Sequence, residues 1–410
     1  MYLTKRGHTM RMLPLLTLAL QNIAIFFSDI FHSIMMLQGL SAVILVLYFV
    51  VSRTTLKLYH SLDVWMIYIL IVCLNFLVGG DASFILAVLI STVTMVLNLS
   101  IPGIGQIEYK FLKCCSFIHF IFSVVSYVIP HTYYDGLYET LLGSSASSNY
   151  YWRVIDGSNV GITSQPGLNA FYLSIFIMMC LVEIFDRKKK IALHLVLAGI
   201  AYVMIFTTGK RSSLLIVPLV AIYYICVIHS DILTNISLNK IVVGIALLVV
   251  GGIFIYWLIT KSSALQIVLG KISKLDAKGD VSNGRFEIWA FAWKIFVEHP
   301  IFGNGLKSIY KLQGIDVHNT YIQILSETGI VGTLFFGGGL INILSCCKKK
   351  LIKLLKKDIS NYYCNSALGY LIILYLLIYG LVGNTFIDYV PLMVFYMAVV
   401  MCLNSERGNI

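Results

Sequence analysis

Among the residues able to do chemistry, one imidazole stands out by position: His318, in Val317-His318-Asn319-Thr320-Tyr321, is the last hydrophilic residue before a long apolar run. A histidine has an unperturbed pKa of about 6.5, so it can accept a proton near neutral pH. Taken alone, His318 reads first as an interfacial hydrogen-bonding group. Downstream, the residues Thr320 to Thr328 separate it from Gly329-Ile330-Val331-Gly332. Glycines so placed, over two turns into a helix, let a neighbouring helix approach closely. Upstream lie Asn283-Gly284-Arg285-Phe286-Glu287-Ile288-Trp289 and Glu298-His299-Pro300-Ile301-Phe302-Gly303-Asn304-Gly305. Gly303 and Gly305 would allow a tight turn or simply a flexible loop. Glu298-His299 is either a second acid/base pair or a solvated helix end. The cysteines and histidines show no metal-ligand spacing, so neither a metal nor any other cofactor is expected.

The elements that must hold these residues are membrane spans. The 410 residues are 59% hydrophobic and 12% charged, with a mean hydropathy of +0.86, where soluble domains carry about 25% charged residues. Apolar runs recur along the chain, which predicts one integral membrane domain over residues 1–410 rather than separate soluble domains. Runs of this length cross about 30 Å of hydrocarbon as helices. They fall near 13–31, 34–51, 64–80, 83–98, 112–130, 168–185, 191–206, 212–228, 241–259, 320–344, 366–382 and 386–403. The expected fold is therefore all-α, a polytopic transmembrane bundle of about 12 helices, with a large extracytoplasmic loop between helices 9 and 10.

Charge assigns the sides. With both termini in the cytoplasm, Arg53 and Lys57, Lys110 and Lys113, the 187–190 cluster, Lys240 and the 348–357 cluster all fall on the inner face, as the positive-inside rule requires. The short turns at 32–33, 80–82 and 383–385 carry no Lys or Arg, and only 207–211 breaks the pattern. The formal charge of +11 thus reads as anchoring to anionic lipid, not as nucleic-acid binding. Lys5, Arg6 and Arg11 precede an apolar stretch without a small-residue cleavage site, so an uncleaved first helix is expected. Two long hydrophilic segments, about 131–167 and 260–319, then lie outside. The first is rich in Tyr, Ser and Gly (Tyr133, Tyr134, Tyr138, Tyr150, Tyr151, Trp152), a composition that suits either stacking on sugar faces or an interfacial aromatic belt. None of the nine cysteines lies in either outer segment, so no disulfide framework is expected.

The combined pattern, G-R-x-x-x-W, H-P-x-x-G-x-G, then H-N with paired glycines downstream, resembles the O-antigen polymerase and O-antigen ligase family of bacterial surface-polysaccharide assembly. The likeness spans about 283–332. Thr207-Thr208-Gly209-Lys210-Arg211-Ser212 resembles a further family feature, T-x-S-R, with Gly209-Lys210 replacing the usual spacing and serine. The resemblance implies a GT-C-like, metal-independent membrane glycosyltransferase of the bacterial inner membrane, its active site extracytoplasmic. The implied substrate is a glycan on undecaprenyl diphosphate, transferred to a sugar hydroxyl in O-antigen or capsule synthesis. Arg211 and Arg285 would hold the diphosphate leaving group, and His318 would take the proton from the attacking hydroxyl, with Asn319 orienting it or the sugar. Arg153, Lys210, Gly303 and Gly305 complete the expected substrate contacts. A snorkelling Arg211 and an Arg285 salt bridge to Glu287 or Asp280 are the structural alternatives. Expected partners are membrane lipid, a chain-length regulator and a flippase. Polymerase is the first reading and ligase the second. A transporter or lipid-linked glycan flippase is the third, disfavoured because Asp29, Glu183 and Asp388 fall near span ends.

Overall fold

The computed structural model describes residues 2–31, 34–143, 157–229, 284–356 and 360–404, and among these every regular element is a helix. Among the described residues, seven helices are long and apolar enough to cross a membrane, and four shorter apolar ones accompany them. Eleven of the expected spans coincide with these helices. The span expected at 241–259 lies outside the described residues, as does Arg153.

The chain divides into two compact units, 1–115 with 284–410, and 116–283. In the first, α1 (Tyr2–Phe26) pairs with α2 (Ile34–Ser52), and α3 (Asp63–Leu74) is followed by α4 (Ala82–Ser100). Helix α5 (Ile104–Val128) begins in this unit and continues into the second. There it is followed by α6 (Pro166–Val182), α7 (Ile191–Thr207) and α8 (Arg211–Tyr223). The first unit resumes with α9 (Arg285–Glu298), α10 (Ser308–Gln313), α11 (Thr320–Lys356), α12 (Ser360–Tyr379) and α13 (Tyr389–Leu403).

Close packing in the first unit runs through small residues, as expected where lipid removes the hydrophobic drive between helices. Trp65 of α3 seats against Gly339 of α11, where a Cβ would come within 3.0 Å of the indole. Phe336 and Phe395 complete an aromatic cluster around Trp65. Gly369 of α12 meets the Ala398 carbonyl of α13 in the same way.

Helix ends gather in two groups. Lys57 N donates to Ser100 Oγ (2.9 Å), Asn404 Nδ2 to the carbonyl of Ile101 (2.8 Å), and Lys350 Nζ to that of Leu403 (2.6 Å). At the other group, Asp81 N donates to Leu306 O (2.9 Å) and Thr320 N to Gly380 O (2.8 Å). The alternation inferred from charge therefore reappears as contacts, with 57, 100, 350 and 404 at one end and 81, 306, 320 and 380 at the other.

Lys110 and Lys113 lie inside α5, which begins at Ile104, ahead of the span expected at 112–130. One expectation is corrected here. Of the aromatic residues of the 131–167 segment, Tyr133, Tyr134 and Tyr138 form neither a belt nor a sugar platform, because they are buried. Tyr133 donates to Gly161 O (3.0 Å) and Tyr138 to Thr163 O (3.0 Å). Burial pushes the Tyr133 hydroxyl up, with Tyr134 adding to it, so it remains a proton donor that fixes the loop. Tyr150, Tyr151 and Trp152 lie outside the described residues.

Candidate functional site

Residues 284–319 are not an open loop. Helix α9 folds onto a small core of Ala292, Ile309 and Val317, with Ile288, Trp289 and Phe291 packed against it. Apolar residues at 288, 289 and 292 recur at helical spacing, so one face of α9 can be buried. Trp289 Nε1 donates to the Val317 carbonyl (2.9 Å). The tryptophan of the G-R-x-x-x-W pattern thus holds the residue immediately before His318.

The turn carrying His318 is gripped from both sides. Val317 N donates to Gln323 Oε1 (3.2 Å). Asn319 Oδ1 accepts from Tyr321 N (3.1 Å) and Ile322 N (3.2 Å), capping α11, which satisfies two of the amides left orphaned at a helix start. Between them His318 has φ 55, a left-handed conformation that costs a non-glycine residue energy and persists only where the surroundings impose it. Its side chain is half-buried.

A polar network beneath this turn went unnoticed in the sequence. Lys307 Nζ donates to both carboxylate oxygens of Asp316 (3.1 and 3.0 Å), and its backbone N donates to Glu327 Oε2 (2.8 Å). Gln323 Nε2 donates to Asp316 Oδ1 and to Glu327 Oε1, each at 3.0 Å. Asp388 Oδ1 stands 3.7 Å from the same ammonium. Glu327 is completely buried, and its two oxygens are both satisfied, as a buried carboxylate requires. The visible signal was Gln323 and Glu327 at i and i+4 in an apolar run, one face of one helix.

Helix α11 is broken at Gly329 (φ 66, ψ −170). Near the break, Ser326 O accepts from Asn304 N (3.2 Å) and Glu327 O from Gly305 N (2.9 Å), while Ile330 N and Val331 N donate to Pro300 O (2.9 Å) and Ile301 O (3.2 Å). The H-P-x-x-G-x-G segment therefore supplies backbone partners across the broken part of the ladder. Gly303 (φ 70) and Gly305 (φ 93) have no room for a Cβ: Gly303 sits on the Glu327–Thr328 backbone, Gly305 on Gly80 N. The expectation that Gly329 and Gly332 admit a neighbouring helix is corrected: at Gly329 the close neighbour is the Ile301–Phe302 backbone, and at Gly332 it is Thr328 of the same helix.

Both candidate arginines are first residues of helices, Arg285 of α9 after Gly284 (φ 80) and Arg211 of α8. Arg285 is half-buried, and Arg211 is exposed. Among the described residues neither has an ion pair, Glu287 included. Arg211 and Lys210 belong to the second unit. There Gly209 (φ 70) closes the turn after α7, Lys210 N donates to Thr208 Oγ1 (3.3 Å), and the Lys210 side chain runs beside Gly167. Arg285, Gly303, Gly305, His318 and Asn319 belong to the first. Glu298 pairs with Lys294 (3.9 Å) at an exposed helix end, the bland alternative for Glu298-His299. Among the described residues no cluster of three or more His, Cys, Asp or Glu could hold a metal.

A chain of many apolar helices, one of them broken beneath a clamped histidine turn, has the build of a multi-pass membrane protein. Residues 193–337, less than half of the chain, match the family model described as O-Antigen ligase. Over that range the chain is similar to the family so described. The matched range contains Lys210, Arg211, Arg285, Gly303, Gly305, His318 and Asn319. No curated protein matches the chain.

Proposed function

We propose that the chain is a polymerase that joins undecaprenyl-diphosphate-linked oligosaccharide repeat units on the outer face of the bacterial cytoplasmic membrane. The clamped His318 turn within the matched family range carries the reading. A general base must keep one position while substrates come and go, and Trp289, Gln323 and Asn319 hold the turn around this imidazole. His318 takes the proton of the attacking sugar hydroxyl. The glycosidic bond to the diphosphate breaks, and the diphosphate leaves as an anion. Arg285 and Arg211 receive that charge. A cation at a helix N-terminus is unfavourable for the helix, whereas an anion there is favourable, so a phosphate group bound at either residue relieves that helix. Arg153, Lys210 and Asn319 are assigned to substrate binding, and Gly303 and Gly305 serve it indirectly, by closing the 300–305 segment onto α11. No metal takes part in this scheme. The charge pattern supports cytoplasmic termini, and chain-length regulator and flippase proteins would supply and meter the repeats.

The second reading, a ligase that moves a finished glycan to lipid A core or another acceptor, is favoured by the description of the matched family. Surface polysaccharide from cells carrying His318→Ala or Arg285→Ala tests the site. Expression and membrane insertion should be normal and long-chain glycan absent; normal ladders in either variant would overturn the assignment. In a deletion strain, single repeats still attached to the acceptor indicate a polymerase, and long chains stranded on the lipid carrier a ligase.

A further inference from the structure

Far from the histidine turn in sequence, a small cavity of about 20 Å³ lies among helices of the first unit, lined by Gln21, Gln38, Ser91, Thr94, Asn98, Glu108 and Tyr396 and by apolar side chains. That volume accommodates one or two water-sized species. Glu108 is 1% exposed and Gln38 fully buried. Yet Glu108 Oε2, Gln38 Oε1 and Nε2, Thr94 Oγ1 and Asn98 Oδ1 are buried with no hydrogen-bond partner.

Buried polar atoms are ordinarily satisfied, and each orphan costs about 1–3 kcal/mol. Five such atoms from four residues on one small cavity wall, four of them oxygens, are a concentration that calls for a ligand. Its chemistry can be read from the atoms. Asn98 has already given its amide hydrogen to Gln21 Oε1 (3.0 Å), and Gln21 has given its own to Ser41 Oγ (2.8 Å). Asn98 therefore presents oxygen to the cavity, alongside a carboxylate oxygen, an amide oxygen and a hydroxyl. This is a hard-oxygen set with one formal negative charge. An ionised carboxylate within a helix bundle in lipid needs a compensating cation. One charge is too few for the carboxylate-rich sites typical of Ca²⁺, and the cavity is too small for the several waters Mg²⁺ retains.

We propose that this cavity binds a sodium ion, with Glu108 supplying the charge and Gln38, Thr94 and Asn98 the neutral oxygens. The ion ties α2, α4 and α5 together, independently of the glycan-transfer reading. Radioactive ²²Na⁺ binding to the purified full chain in detergent, with choline holding ionic strength constant, tests it. Saturable binding of about one ion per chain is expected, displaced by unlabelled NaCl, lost in Glu108→Gln and weakened at least about tenfold in Thr94→Val. Thermal stability should rise with NaCl but not with choline chloride, through linkage, and the rise should vanish in Glu108→Gln. Absence of saturable binding in the wild-type chain overturns the proposal and leaves Glu108 a protonated acid among waters. Undiminished binding in a folded Glu108→Gln or Thr94→Val overturns the site. If Glu108→Gln does not fold, the wild-type and Thr94→Val measurements decide.

Discussion

Alanine at Gly303 and alanine at Gly314 form a matched pair, because both glycines have φ 70 and only one has space around it. A Cβ on Gly314 meets nothing within 4 Å, whereas one on Gly303 falls closer than 3.0 Å to the Glu327 carbonyl and Thr328 amide, backbone atoms that cannot swing aside. The left-handed conformation costs either alanine about 1–2 kcal/mol. Gly303→Ala adds overpacking of about 1–3 kcal/mol. If the segment lifts to relieve the clash, the Gly305 N–Glu327 O and Asn304 N–Ser326 O bonds go too, at about 0.5–1.5 kcal/mol each. Gly303→Ala should therefore cost about 2–5 kcal/mol, whether the clash persists or the two bonds are lost in relieving it, against about 1–2 for Gly314→Ala. Unfolding of the purified chain in mild detergent would measure the difference, and amide hydrogen exchange at Gly305, Ile330 and Val331 would locate it. Equal unfolding midpoints for the two variants, with the Ile330 and Val331 amides still protected in Gly303→Ala, would refute the claim that this segment completes the broken helix.

Two further outcomes follow from the same region. Lys307→Met leaves the mostly buried Asp316 carboxylate without its cation, which should lower unfolding stability by about 3–5 kcal/mol; a loss under 1 kcal/mol would show that Gln323 alone suffices. Asp81 caps α4, accepting from Phe84 N (2.9 Å) and from Ser83 Oγ. The Ser83 hydroxyl, then the Phe84 amide, hold its pKa below 3.8. A depressed folded pKa means that the contribution is fully present above the unfolded value and is lost as pH falls through the lower folded one. Asp81→Ala should cost about 1 kcal/mol at pH 7, and its deficit against wild type should shrink in titrations below pH 4. A deficit that grows on acidification would reverse the sign of this assignment.

The spans were legible because lipid imposes a length and a composition that a single apolar run displays by itself. The fold of 284–319 was not, because its helices are short and carry charges, and their apolar residues meet only in three dimensions: Ala292, Ile309 and Val317 are far apart in sequence and form one core. Burial of Tyr133 and Tyr138 was hidden for a similar reason, their acceptors being carbonyls more than twenty residues on. His318, Gly303 and Gly305 were found by residue type and spacing. Lys307, Asp316 and Glu327 were missed because each looks like an ordinary solvated charge until the chain folds back on itself.

The misreading of Gly329 has a mechanistic consequence. A glycine that merely admits a neighbouring helix leaves the hydrogen-bond ladder of its own helix intact. Gly329 instead interrupts the ladder, and the backbone of 300–305 supplies partners across the gap. Glu327 lies just before that break and reaches back through Gln323 to Asp316, while Gln323 itself grips Val317. The H-P-x-x-G-x-G and H-N segments are thereby one structure: the first repairs the helix whose second turn holds the polar residues that fix the histidine. Their joint presence in the sequence then has a physical reason: the helix that starts at the histidine turn is broken at Gly329, and the backbone groups freed there find their partners in residues 300–305.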